Sequence, residues 1–181
     1  MQFGKYSNLN KRLLSKIDNF NYINILIFLL IRKGKKKLAK KIVYNFLIFL
    51  KKYFFKYFNQ KNEEFDLINF ITNIFNLYRP RVNLLVKKVA TNKYFLPVYI
   101  DLNKSRILII KWFIESAKKR SEKKLSLALY YEFLDLFFSR GLTLKKLEEY
   151  YKIAKDNRPY LKLVTYKKRG RRKLFKRKYG Y

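Results

Sequence analysis

The chain has 181 residues, with 44 Lys and Arg against 12 Asp and Glu, and its formal net charge is +32. Because His and Cys are absent, catalytic triads, imidazole acid–base chemistry, ordinary zinc sites and disulfides are excluded. The pair Glu132 and Asp135 is interpreted as balancing nearby cations, so neither enzymatic activity nor a cofactor is expected. So large a positive charge predicts a polyanionic partner, with nucleic acid favoured over an anionic membrane surface.

Three helices are predicted before residue 79, after a basic arm over residues 1–21. The apolar run from Tyr22 predicts a buried helix to about Arg32, and the run is about half as long as a membrane-spanning segment. A third helix over residues 63–78 ends before Pro80, since the residue preceding a proline avoids helical geometry. Between them, helical spacing predicts a long helix over residues 35–58, with the apolar row Leu38, Ile42, Phe46, Phe49 and Tyr53.

Two groups of lysines in the first half of the chain are candidate anion-binding residues. One group lies at the start of the long helix, where cations oppose the helix dipole: Lys35, Lys36 and Lys37. The other lies at the tip of a β-hairpin that period-two alternation predicts over residues 81–100: Lys87, Lys88 and Lys93. Each group is either a solvated charge run or a contact with an external anion, and the overall charge favours the anion.

The central feature is a pair of amphipathic helices joined by a basic linker, Ala117–Lys124. The second helix is apolar most of the way round and is therefore predicted to be buried. Ser121 is the expected N-cap of this helix and Gly141 its left-handed C-cap. The first helix carries the apolar row Ile107, Ile110, Ile114 and Ala117. The linker supplies five further candidate cations: Lys118, Lys119, Arg120, Lys123 and Lys124.

A last helix, with Thr143 as its expected N-cap, is predicted to close at Arg158-Pro159. Residues 161–181 contain ten cations and no carboxylate, and predict a tail that orders on a polyanion. The predicted fold is mainly α, with about six helices in one bundle-like domain over residues 22–160. One β-hairpin protrudes between the third and fourth helices, and basic extensions flank the domain. The candidate cations of the tail are Lys167, Lys168, Arg169, Arg171 and Arg172.

Three stretches of the chain resemble the S-seven family of small-subunit ribosomal proteins. They are GKKKLAKKIVY at residues 34–44, RPRVNLLVKKVATNKYFLPV at 79–98, and the stretch over 112–157, above all AKKRSEKKLSLALYYEFLDLFFSRG at 117–141 and KIAKDN ahead of Arg158. The order of helices and hairpin is similar as well. The chain departs from the family in lacking a recognisable proline-containing motif before its first helix, and in carrying Ala90 and Thr91 where paired glycines are usual.

The resemblance implies a structural constituent of the small ribosomal subunit that binds the 3′ major domain of its ribosomal RNA and organises assembly of the subunit head. It places the hairpin near the exit site, by the mRNA path and the exit-site tRNA, and makes the S-eleven protein a neighbour. No enzymatic activity and no membrane span are implied. By matching position it supports the candidate cations of the long helix, hairpin and linker, and adds Arg79, Arg81, Lys111 and Arg158.

The composition also bears on the source of the protein. Tyr 16 and Phe 17 against Gly 5 and Pro 3, with abundant Asn, Ile and Lys, predict a strongly AT-rich coding genome. Together with the divergence from the family, this favours an organelle-encoded protein in the mitochondrial matrix, as part of the mitochondrial ribosome, over a plastid one. The main alternative function is a generic basic nucleic-acid packaging or regulatory protein. A membrane-surface protein would need a large exposed apolar face, and an RNA-acting enzyme lacks candidate groups.

Overall fold

The computed structural model describes residues 22–58, 66–89 and 91–162. Within them the predicted fold class is confirmed, since six helices are present and one antiparallel hairpin lies between the third and the fourth. No described helix is long and apolar enough to cross a membrane. In chain order the elements are α1 (Tyr22–Leu30), α2 (Lys36–Phe58), α3 (Leu67–Tyr78), β1 (Val82–Val89), β2 (Asn92–Tyr99), α4 (Leu102–Lys118), α5 (Leu125–Phe137), α6 (Leu142–Asp156) and a 3-10 turn (Arg158–Leu161).

The described residues belong to two compact units. The first contains α1, α2, α3 and residues 106–145, which include α5. The second contains residues 80–105, with the hairpin, and the chain from residue 146 onward. The boundaries predicted for a single domain over residues 22–160 stay a prediction, and the predicted arm and residues 163–181 of the tail lie outside the described residues.

Aromatic side chains from four helices build the core of the first unit. Phe46 of α2, Phe75 of α3, Phe113 of α4 and Phe133 of α5 are each at most 1% exposed. Their contacting ring pairs have centroids 5.2 to 6.3 Å apart and are tilted or edge-on, as the quadrupoles of aromatic rings favour. The prediction that α5 is a buried helix is therefore confirmed, and its burial fixes the far end of the basic linker.

The predicted apolar row of α2 is wrong at its start. Leu38 is 55% exposed, whereas its neighbour Ala39 is 2% exposed and begins a buried row that continues through Val43, Phe46 and Leu50. Both rows have helical spacing, so the sequence pattern does not distinguish them. The row that starts at Ala39 is the one that packs, because it places Val43 and Leu50 beside Phe46 on one face of α2, each at most 1% exposed.

Two predicted N-caps are wrong. The residue that caps α5 is Lys124, without a side-chain hydrogen bond, so Ser121 lies in the linker and not at the helix start. The helix α6 begins at Leu142, and Thr143 therefore lies within its first turn. Both the hydroxyl and the backbone N–H of Thr143 donate to a carboxylate of α5, which explains why this residue does not adopt the capping conformation.

The end of α5 also differs from the prediction. The helix stops at Phe137, and Ser139, with φ +56°, is the first residue to adopt a left-handed conformation. Its N–H donates to the carbonyl oxygen of Leu136. Gly141 does have a positive φ, of +100°, but it lies beyond the cap, at the turn into α6.

In the second unit, β1 and β2 pair antiparallel, with Val82 opposite Tyr99 and Val89 opposite Asn92. Pro97 lies opposite Leu84 in a sheet of two strands, so this proline occupies an edge strand, where prolines of sheets are found. The predicted hairpin over residues 81–100 is confirmed to within one residue at each end.

Candidate nucleic-acid interface

The turn from α1 to α2 presents one group of predicted contacts. Lys33 and Gly34 have φ values of +49° and +72°, and this left-handed turn lets α2 start directly after it. Lys35, Lys36 and Lys37 follow and are exposed. No acidic residue lies in the first turn of α2. These cations therefore sit at the positive end of the helix dipole, an arrangement that an external anion would stabilise.

The basic linker presents a second group. Lys118, Lys119, Lys123 and Lys124 are exposed, as is Lys111 on α4. Partial burial lowers the pKa of Lys118 below its ordinary value, and the positive charge of Arg32 lowers it further, against an opposing effect of Glu115. Arg32 lies just past α1, in the α1–α2 turn. A phosphate between these two cations would relieve their repulsion.

Arg120 differs from the other linker cations because its guanidinium is already paired. Its Nη1 lies 2.8 Å from Glu132 Oε2 and 2.7 Å from Asp135 Oδ2, and its Nε lies 3.3 Å from Glu122 Oε1. Burial would lower the pKa of Arg120, but hydrogen bonds to Asp135, Glu132 and Glu122 raise it well above its ordinary value. The interpretation of Glu132 and Asp135 as balancing cations is confirmed. We refer to Glu122, Glu132 and Asp135 as the carboxylate cluster.

Glu132 is the buried member of the carboxylate cluster, with 0% exposure. Its Oε1 accepts hydrogen bonds from the Thr143 N–H at 2.9 Å and from the Thr143 hydroxyl at 2.7 Å. Gly141 lies against the same group, because a Cβ atom at this position would be 2.9 Å from Asp135 Cβ and 3.4 Å from Glu132 Oε1. One carboxylate thus joins the linker to the first turn of α6, and a side chain at residue 141 would come too close to Asp135 Cβ.

The hairpin presents a third group of cations. Lys88 and Lys93 are exposed and lie directly opposite each other across the two strands. Like charges at this position destabilise an antiparallel pair, so a bound anion would stabilise the tip. Lys87, on the same strand, is half-buried.

Side chains of α6 and the 3-10 turn fix the hairpin within the second unit. The Tyr150 hydroxyl accepts a hydrogen bond from the Leu84 N–H at 2.9 Å, and Asn157 Oδ1 accepts one from the Phe95 N–H at 3.3 Å. The rings of Tyr94 and Tyr160 have centroids 4.7 Å apart. Burial raises the pKa of Tyr150, against the lowering effect of the bond from Leu84 and with a further increase from Tyr151. The hairpin is therefore held on both strands.

The remaining predicted contacts are dispersed. Arg79, in the first unit, is half-buried, and Arg81 is exposed while its N–H donates to the Tyr151 hydroxyl at 3.0 Å. Arg158 is exposed in the 3-10 turn. The predicted contacts of the tail lie outside the described residues: Lys167, Lys168, Arg169, Arg171 and Arg172.

Sequence reasoning did not single out two features of this surface. Arg32 is not among the predicted contacts, although its position beside the lysine run of α2 is a usable signal. The pairing of Arg120 with Glu132 and Asp135 had a weaker signal. These residues are 12 and 15 positions apart, and only the antiparallel return of α5 brings them together.

Exposed cations on helix ends of the first unit and on the hairpin of the second are typical of the class of basic polyanion-binding proteins. A family model described as Ribosomal protein S7p/S5e matches residues 5–158. The chain belongs to this family. It is accordingly a structural constituent of the small ribosomal subunit and not an enzyme.

Similar proteins agree with the family assignment. The chain is 32% identical over 139 residues to the small ribosomal subunit protein uS7 of Blochmanniella pennsylvanica, a match that covers 77% of this chain and 81% of the relative. It is 30% identical over 151 residues to uS7 of Wigglesworthia glossinidia brevipalpis, covering 83% and 85%. With uS7 of Colwellia psychrerythraea the identity is 33% over 139 residues, covering 77% and 81%.

Proposed function

We propose that the chain binds the 3′ major domain of small-subunit ribosomal RNA and organises assembly of the subunit head. The observation that supports this most directly is the exposed set of lysines on the basic linker, with Arg32 and Lys118 close enough for one to lower the pKa of the other. Cations on rigid helix ends neutralise phosphates and release counterions, which gives affinity with little base readout. The shape of the folded RNA must then supply the specificity, since side chains do not reach the bases in the deep A-form groove.

The test is salt-dependent binding of the full chain to its own 3′ major-domain RNA, to an unrelated RNA of equal length and to a DNA duplex. We expect tight binding to the first RNA only, with an affinity that falls linearly on a logarithmic salt scale. Equal binding to all three would contradict the proposal and indicate a generic polyanion-binding protein.

A charge-matched pair of variants separates a local interface from net charge. Changing Lys118, Lys119 and Lys123 to Gln should weaken binding and reduce the salt slope by about three, one unit for each phosphate contact. The control variant changes three other exposed lysines of the first unit to Gln: Lys51, Lys52 and Lys145. Equal losses in the two variants would contradict the linker as the contact surface.

We propose in addition that the hairpin lies near the exit site and the mRNA path, beside the exit-site tRNA, and that the S-eleven protein is a neighbour. The exposed and mutually repelling Lys88 and Lys93 support an anionic partner at the tip. Changing both to Gln should spare subunit assembly while altering retention of exit-site tRNA. An assembly defect as large as that of the linker variant would contradict this division of roles.

The mitochondrial ribosome is the proposed location, on the AT-rich character of the composition, while the relatives described above are bacterial. Fractionation of the source cell with an antibody to the chain tests this. Recovery with mitochondrial small subunits is expected, and recovery with ribosomes of another compartment would contradict it.

A further inference from the structure

We infer that Arg120 is a positioning residue and not a phosphate contact, and that buried Glu132 holds the basic linker in the shape that presents its lysines to RNA. The inference rests on the proposed function, because it assigns different roles to cations within one RNA-binding surface. It replaces the prediction that Arg120 binds RNA, which followed from its place among lysines in the sequence.

The Arg120 guanidinium is already paired within the protein. It contacts all three members of the carboxylate cluster at 2.7 to 3.3 Å, and its Cζ lies 6.0 Å from the centroid of the Tyr131 ring. The Arg120 side chain is 22% exposed. A phosphate would have to displace carboxylates that already provide charge-assisted hydrogen bonds, the strong class of such bonds.

Glu132 joins two segments that are distant in the sequence. One of its oxygens accepts from Arg120 in the linker, and the other accepts twice from Thr143 in α6. Because Glu132 has 0% exposure, loss of either set of donors would leave an incompletely compensated buried carboxylate. The linker is thereby tied to the start of α6 through a side chain of α5.

The placement of the linker lysines depends on how the linker is attached to the rest of the protein. The backbone of the linker is fixed near its two ends, where the Lys119 N–H donates to Ser116 O at 3.0 Å and Lys124 O accepts from the Leu127 N–H at 3.0 Å. Between these points, the side chain of Arg120 ties the linker to the buried Glu132. Lys119 and Lys123 flank this attachment and are exposed, so their placement depends on it.

Glu132→Gln is the informative variant because the charge effect and the positioning effect have opposite signs. The change makes the protein more positive by one unit, and charge alone would tighten RNA binding. A glutamine, however, has one acceptor oxygen and one donor NH2 group. Its NH2 group must therefore face either the Arg120 guanidinium or the Thr143 N–H, which are both donors. We expect binding to weaken by about tenfold, with a shallower salt slope.

Matched controls isolate the cluster. Glu148→Gln makes the same charge change at an exposed position of α6 and should leave binding unchanged or slightly tighter. Arg120→Met and Lys119→Met both remove one positive charge. Lys119→Met should reduce the salt slope by about one, whereas Arg120→Met should reduce it by more, because neighbouring lysines lose their placement as well. Equal affinities and slopes for these two variants would overturn the inference.

Hydrogen exchange of the linker amides in the RNA-free protein tests the same point without a ligand. Exchange should be faster in Glu132→Gln and Arg120→Met than in Glu148→Gln and Lys119→Met, with the helical circular dichroism signal retained. If Glu132→Gln does not fold, Asp135→Asn, at a 23% exposed side chain, replaces it with the same expected direction. Unchanged exchange would overturn the positioning role, whereas failure of the wild type to prefer its own RNA would overturn only the proposed function.

Discussion

Gly141 and Gly34 provide a matched pair for testing how tightly the carboxylate cluster is packed. Both have positive φ values, +100° and +72° respectively. A Cβ atom at residue 34 would meet nothing within 4 Å, whereas one at residue 141 would lie 2.9 Å from Asp135 Cβ. Since Asp135 Cβ is bonded to the backbone of α5, it cannot move aside without the helix. Alanine should therefore be tolerated much better at residue 34.

The expected magnitudes follow from these two environments. An alanine in a left-handed conformation costs roughly 1 to 2 kcal/mol, and the smaller entropy of the unfolded variant offsets about 0.4 to 1 kcal/mol of it. Gly34→Ala should thus lower the free energy of unfolding by about 1 kcal/mol. Gly141→Ala carries a conformational cost at least as large, since φ +100° lies outside the left-handed α region, together with about 1 to 3 kcal/mol from overpacking, for a total of about 3 kcal/mol or more.

Urea denaturation followed by circular dichroism measures both variants on one scale. The midpoint should fall clearly further for Gly141→Ala, with an unchanged slope, because the same surface is exposed on unfolding. Equal losses for the two variants would refute the packing argument and leave only the backbone conformation. A loss for Gly34→Ala as large as that predicted for Gly141→Ala would refute the assignment of open space around residue 34.

Three further predictions concern the core, the hairpin and the tyrosines. Phe133→Ala should lower the free energy of unfolding by about 3 to 5 kcal/mol, whereas Phe138→Ala, at 49% exposure, should change it by less than about 1 kcal/mol in the same urea assay. Tyr150→Phe removes the acceptor of the Leu84 N–H, so the hairpin should lose about 1 kcal/mol, and faster amide exchange at Leu84 is the measurement. Burial raises the pKa of three tyrosines in the folded state, so their contribution to stability is complete below about pH 10, the unfolded value. This contribution to stability is lost as the pH rises through the higher folded-state pKa values of Tyr22, Tyr130 and Tyr150. A tyrosinate absorbance titration with a single midpoint at the ordinary tyrosine pKa would contradict the assignment.

The fold class was predictable because the hydrophobic pattern changes period where the structure changes. Ile68, Ile71 and Phe75 recur at helical spacing, and all three are at most 5% exposed on α3. After Pro80 the period becomes two, and the paired strands begin at Val82 and end at Tyr99. The repeat of the apolar residues follows directly from backbone geometry, so it can be recognised in the sequence without knowledge of the tertiary contacts.

The helix caps and the exact buried rows were less predictable because they depend on those contacts. Ser121 and Thr143 have the composition of N-caps, but Thr143 is engaged by Glu132, a residue 11 positions away. Leu38 and Ala39 are adjacent and both apolar, but only Ala39 is buried. Local preference is a weak guide wherever a long-range hydrogen bond or a close helix contact can override it.

The candidate site shows the same division. Charge along the sequence identified Lys118, Lys119, Arg120 and Lys123 as one group, and in the structure three of them are exposed while Arg120 faces carboxylates. A cation can bind RNA only if its charge has not already been compensated inside the protein, and that depends on residues 12 and 15 positions further along the chain. The guanidinium suits the internal role because its planar donors bind several carboxylates at once, whereas a lysine is a compact point charge on a flexible chain. The linker thus pairs its arginine with carboxylates inside the protein and leaves its lysines exposed.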